Sequence, residues 1–175
     1  MSNNNLEIER KYLIKMPDME ELRKTENYDW SEIEQVYVND TMDGMFGRIR
    51  KRGKNGVYKY YKTFKKDVTA VTRVEIESEI SEKEYTDLKK HCREGFGVIE
   101  KTRHVFDYKG LTFELDIFPF WNDKAFLEAE VSSEDTEIPI PDFIEVIKEV
   151  TEDISYRNSA LAQIVINNKG DKSHD

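Results

Sequence analysis

The chain has 175 residues, enough for one domain with a sizeable core. Its net charge of -9 argues against a nucleic-acid scaffold, and no apolar run approaches the roughly 18 residues of a membrane span. Charged residues make up 36% and hydrophobic residues only 38%, so many charges must sit in unusual places, while nine Tyr, nine Phe and two Trp still supply a core.

In chain order, residues 6–14 read as a first strand, and Pro17 opens a short helix over Asp18 to Glu26. Strands follow at Ile33 to Asn39 and Met45 to Arg52, with Asp43-Gly44 turning between them. Gly53-Lys54-Asn55-Gly56 is a hairpin signal leading into Val57 to Lys65, and Arg73 to Ile80 is a further strand. Ser81-Glu82-Lys83-Glu84 is a capping box, predicting a helix to about Arg93. Three strands come next, near Val98–Tyr108, Leu111–Phe118 and Ala125–Ser132. Phe143, Ile144, Ile147 and Val150 have helical spacing and predict a helix from Asp142, with a last helix over Ser159 to Ile166. The domain is taken as residues 1–166, and residues 167–175 as a polar, disordered tail. The lone Cys92 permits no internal disulfide, and Met1 leads into no apolar segment, so a cytoplasmic location is the default.

The strands carry charges two residues apart: Glu7-x-Glu9-x-Lys11, Arg48-x-Arg50-x-Arg52, Arg73-x-Glu75-x-Glu77, Lys101-x-Arg103, Glu114-x-Asp116 and Glu128-x-Glu130, with Thr63-x-Lys65 weaker. Alternate residues share a strand face, so each set lies on one side of its strand. Alternation alone fits a half-solvated sandwich equally well. The sorting of sign by strand, and the preference for Arg over Lys, favours a closed antiparallel barrel lined with charge, suited to a polyanion and its metal ions.

Leu6-Glu7-Ile8-Glu9-Arg10-Lys11 resembles the Glu-x-Glu-x-Lys signature that opens the CYTH, or triphosphate tunnel metalloenzyme, family. The resemblance continues in order through Gln35-Val36-Tyr37, Arg48-Ile49-Arg50, Thr63-Phe64-Lys65 and Arg73-Val74-Glu75-Ile76-Glu77. It extends through Glu100-Lys101-Thr102-Arg103, Phe113-Glu114-Leu115-Asp116, Leu127-Glu128-Ala129-Glu130 and the segment Val150 to Asn158. Val36 stands where the family often has glycine, Arg157 where Lys is common, and either Lys62 or Lys65 could match the family lysine. The resemblance implies an α+β fold, an eight-stranded antiparallel tunnel with a charged interior and helices packed outside. It also implies metal-dependent hydrolysis of a triphosphate, inorganic tripolyphosphate first, with adenylate cyclase, thiamine triphosphatase and a non-catalytic polyphosphate-binding module as alternatives.

Carried over residue by residue, the resemblance makes Lys11, Arg48, Arg50, Lys65, Arg73, Arg103 and Arg157 phosphate-binding cations. It makes Glu7, Glu9, Asp116, Glu128 and Glu130 ligands for Mg²⁺ or Mn²⁺, with Glu75, Glu77 and Glu114 as partners of the arginines. Tyr37 with Lys11 is the candidate pair for proton handling, and Tyr37 reads equally as a packed aromatic. Arg52 and Lys101 read better as surface ion pairs, and His104 as structural. The expected partner is a small-molecule triphosphate, with no nucleic acid and no membrane; a homodimer stays open.

Overall fold

A computed structural model describes residues 6–69 and 71–171, with side chains described for 8–69 and 71–165. The elements are β1 (Leu6–Lys15), α1 (Met19–Arg23), β2 (Glu26–Met42), β3 (Met45–Lys54), β4 (Val57–Asp67), β5 (Thr72–Ile80), α2 (Glu82–Lys89), β6 (Ile99–Tyr108), β7 (Leu111–Ile117), β8 (Lys124–Glu130), β9 (Val146–Glu149), a 3-10 turn (Ile154–Tyr156) and α3 (Asn158–Asp171). Hydrogen bonding orders the strands β5-β4-β3-β2-β6-β7-β8-β1-β9, and β5 pairs back with β1. Eight strands therefore close into an antiparallel β-barrel with β9 as an extra strand. That ring decides between the barrel and the sandwich that alternation leaves open.

Contacts divide the chain into two compact units, residues 1–31, 67–73 and 101–152, and residues 32–66, 74–100 and 153–175. In the first, Tyr12, Ile14, Phe106, Phe113, Leu115, Leu127 and Ala129 pack with Leu22 of α1. Lys11, Glu114, Asp116 and Glu128 occupy the opposite faces of the same strands. In the second unit, Val36, Val38 and Ile49 pack with Tyr85 of α2, leaving Arg48 and Arg50 on the other face of β3. Each unit thus has an apolar face under a helix and a charged face opposite.

Local chemistry sets the element ends. Asp18 caps α1 by accepting from the Glu20 and Glu21 amides, and Ser81 caps α2 by accepting from Glu84. Both helices are shorter than the sequence predicts, ending at Arg23 and Lys89. Asn55 and Gly56 both take positive φ, as a two-residue hairpin requires. Gly53 is needed for a different reason: a Cβ there would lie 1.9 Å from the Val57 carbonyl oxygen and 2.8 Å from Tyr58 Cα. Both obstacles are backbone and cannot swing aside. Gly53→Ala is expected to destabilise the protein by about 1–3 kcal/mol, the cost of overpacking; an unchanged urea midpoint would refute this.

Two sequence expectations fail. The helix from Asp142 is absent; Val146–Glu149 is instead strand β9, paired with β1 through Tyr12↔Glu149, Leu13↔Lys148 and Ile14↔Val146. The reason lies in β1. Glu9 donates to Val71, but further along the same strand the partners are Glu145 for Lys15 and Val150 for Lys11. Backbone groups there need partners, and a β-branched segment following Pro139 and Pro141 supplies them. The second is the end of the last helix, which the sequence predicts at Ile166 and which lies at Asp171; residues 172–175 of the expected tail lie outside the described residues. Among the described residues no helix is long and apolar enough to cross a membrane.

Candidate active site

In the first unit, cross-strand register builds the charged face rung by rung. Lys11 on β1 stands opposite Glu128 on β8, which stands opposite Glu114 on β7, while Glu9 stands opposite Glu130 and Arg103 opposite Asp116. Lys11 Nζ lies 3.5 Å from Glu128 Oε1 and 4.0 Å from the centre of the Phe126 ring. Arg73 reaches both Glu9 at 3.4 Å and Asp67 at 3.3 Å.

Asp116 is the most enclosed acid of this face. Its two oxygens accept three hydrogen bonds, from Arg103 Nε at 2.8 Å, Arg103 Nη2 at 2.9 Å and Lys101 Nζ at 2.7 Å. Burial opposes its ionisation, but Arg103 and then Lys101 outweigh it and hold the carboxyl far below the usual carboxylate range. Burial likewise works against charge on Arg103, yet Asp116 and Glu114 raise its pKa well above the ordinary value. Asp116, a metal ligand by resemblance, thus has both oxygens engaged by cations. Lys101 corrects the sequence reading: it is no surface residue, its side chain being 0% exposed against Asp116. Glu128 is also held below its ordinary pKa, burial being overcome chiefly by Lys11. His104, on the opposite strand face, meets the Tyr28 hydroxyl at 2.8 Å, and burial lowers its pKa. That is a structural histidine.

Acids directly opposed on neighbouring strands repel, so the rungs Glu9–Glu130 and Glu114–Glu128 gather cations, Arg73 at Glu9, Arg103 at Glu114 and Lys11 at Glu128. Among the described residues no three His, Cys, Asp or Glu side chains gather into a ready-made metal cage. Mg²⁺ needs none, since it usually keeps several waters and takes one or two carboxylates plus substrate oxygens. The carboxylate pairs fit that sparse demand. The side chain of Glu7, the remaining expected ligand, lies outside the described residues.

In the second unit, Arg48 on β3 is flanked by Tyr37 on β2 and Thr63 on β4, and Arg50 by Gln35 and Tyr61. Gln35, fully buried, donates through Nε2 to the Tyr37 hydroxyl at 3.0 Å. Glu75 lies 3.9 Å from Arg48 and 3.6 Å from Lys65, and Thr63 donates to Glu77 at 3.4 Å. Lys65 shares a strand face with Thr63, whereas Lys62 points the other way, to Asp40 and to Glu84 of α2. Lys65 therefore belongs to the charged face and Lys62 to the helix-covered one. Arg48 is buried, and its Nε and Nη2 have no hydrogen-bond acceptor. Buried guanidinium nitrogens are costly to leave unmatched. Arg157, half-buried, directly follows the 3-10 turn and caps it, its amide donating to Ile154.

Sequence reasoning gave Gln35 no role, although its spacing from Tyr37 already placed the two on one strand face. It gave Phe126 no role either, although Phe126 is two residues before Glu128 and so shares its strand face. It missed Arg93 entirely: the residue lies beyond α2, outside any strand, and its guanidinium sits 4.0 Å from the Phe46 ring and 4.7 Å from the Phe96 ring.

The family model for the CYTH domain matches residues 5–161. The inorganic triphosphatase of Acetivibrio thermocellus is 32% identical over 158 residues, covering 90% of this chain and 93% of that protein. The solved structure of the inorganic triphosphatase NE1496 is 31% identical, with a TM-score of 0.56 and coverage of 90% and 94%. That of the PH1819 protein from Pyrococcus horikoshii OT3 is 27% identical, with a TM-score of 0.54 and coverage of 74% and 80%. Matched over most of its length by that family model and by such relatives, with charge set rung by rung on one face of its strands, this chain belongs to the CYTH domain family.

Proposed function

We propose that the protein is a divalent-metal-dependent triphosphatase that cleaves inorganic tripolyphosphate to pyrophosphate and phosphate. One observation carries this reading: the buried Arg48 guanidinium, two of whose nitrogens lack an acceptor. A phosphate group supplies the oxygens that such a fork matches. The relatives named inorganic triphosphatases support the substrate class.

On this reading Arg48, Arg50, Lys65 and Arg157 bind phosphate oxygens on the second unit's strands and turn, and Lys11, Arg73 and Arg103 do so on the first unit's. Asp116 acts by orienting Arg103, since its oxygens are engaged there. Glu9, Glu128 and Glu130, with Glu7, would hold Mg²⁺ or Mn²⁺. The bound ion would supply charge neutralisation on the phosphate oxygens. Water attacks the terminal phosphorus in line; the new P–O bond forms as the bridging P–O bond breaks, and pyrophosphate leaves. Lys11 and the arginines neutralise charge on the oxygens during that exchange. Tyr37, its hydroxyl oriented by Gln35, is the group assigned to pass on the water's proton.

The test is release of orthophosphate and of cyclic nucleotide from tripolyphosphate, ATP and thiamine triphosphate, with Mg²⁺, Mn²⁺ or chelator. Orthophosphate from tripolyphosphate, lost with chelator and strongly reduced in Glu9→Gln, is the expected result. Cyclic AMP without orthophosphate would overturn it, as would tight polyphosphate binding with no turnover under either metal.

A further inference from the structure

Arg93 follows α2 in a stretch without regular secondary structure, and nothing in its sequence neighbourhood marks it. Its guanidinium is stacked between the rings of Phe46 and Phe96, at 4.0 Å and 4.7 Å. Phe96 in turn packs on Tyr37, with ring centres 5.4 Å apart, and the Arg93 amide donates to the Tyr37 carbonyl at 2.8 Å. Among the described residues no carboxylate pairs with this guanidinium. The stack holds the cation by its faces and leaves its edge of N–H donors unmatched. Phe46, itself 47% exposed, is two residues before Arg48 and shares its strand face.

The cations therefore continue in a row along β3. Arg50 and Arg48 are one side-chain step apart, about 6.6 Å at the usual strand rise, and Arg93, seated on Phe46, adds the next step outward. Two guanidinium groups already span a chain of three phosphates. A third, immobilised beyond them, is placed for an anion that extends past the triphosphate. A stack that served only packing would not need a donor edge left without an acid partner.

We propose that Arg93 is a substrate-binding residue that takes the phosphate beyond the third in a linear polyphosphate, and so sets chain-length preference. This rests on the triphosphatase reading and extends it. It is tested by calorimetric binding of tripolyphosphate and tetrapolyphosphate in chelator, so that turnover plays no part. The wild type is expected to bind tetrapolyphosphate at least about tenfold more tightly, the size of a charge-assisted hydrogen bond. Arg93→Gln should lose most of that ratio, and Phe46→Leu, which removes one face of the stack, should lose part of it. Lys90→Gln removes one exposed charge from the end of α2 and controls for general electrostatics; it should retain the ratio. An equal ratio in wild type and Arg93→Gln, or an equal drop in Lys90→Gln, overturns the assignment while leaving the triphosphatase reading intact. Wild-type protein that binds neither polyphosphate, in chelator or with Mg²⁺, defeats that underlying reading itself.

Discussion

Arg48→Ala should lower kcat/KM for tripolyphosphate by on the order of 10²–10³, the loss seen when one preorganised donor to a developing anion is removed. The reasoning is local. Arg48 is buried with two nitrogens lacking an acceptor, and its nearest acid, Glu75, is at 3.9 Å. Taking the guanidinium away leaves no stranded carboxylate, because Glu75 keeps Lys65 at 3.6 Å. Activity should therefore fall much further than thermal stability. Arg48→Lys restores the charge without the planar fork and should recover only part of the rate. Wild-type kinetics in a properly folded Arg48→Ala protein would remove this residue from the site, and with it the observation on which the functional reading leans hardest.

Asp116→Asn should act in the opposite sense, on stability first. The substitution leaves Lys101 and Arg103 buried without their shared anion, and breaking a buried ion pair in this way costs about 3–5 kcal/mol. Replacing Lys101 by Met in the same chain should recover part of the loss, since one of the two stranded charges is then gone. The acid limb of the stability curve supplies an independent measurement. Folding lowers the Asp116 pKa, so the unfolded chain takes up this proton more readily than the folded one. The stabilisation is complete above the ordinary Asp value near 4 and drains as pH falls from there toward the depressed folded value. Urea midpoints taken between about pH 5 and pH 2 should thus fall less steeply in Asp116→Asn than in wild type. Parallel acid limbs, or a variant as stable as wild type near neutral pH, would show that the carboxylate is not the anchor of this trio.

Much of the site was legible because strands have a period of two. Glu9 and Lys11, Arg48 and Arg50, and Glu128 and Glu130 had to share faces once their segments were strands, whatever the rest of the chain did. The same rule separates Lys65 from Lys62, and only the choice of face is set by the tertiary structure. Alternation says nothing about depth, however. Lys101 and Arg52 both read as surface cations, yet Lys101 is enclosed against Asp116 and Arg52 is exposed. The neighbouring strand decides which. The misread helix has a similar origin: Phe143, Ile144, Ile147 and Val150 suit a helix in isolation, but β1 offered the backbone of residues 145–150 hydrogen bonds that a local pattern cannot reveal.

By itself, then, the amino-acid order determined which residues form the eight barrel strands, which charges lie together on each, and the family to which the pattern belongs. Those follow from backbone geometry and short-range spacing. The tertiary structure decided which acid each cation meets, that Asp116 is held by two bases, that β9 completes β1, and that Arg93 is wedged between two rings. Each of these pairs residues far apart along the chain or on different elements, and its energy depends on distance and burial, which no linear pattern specifies.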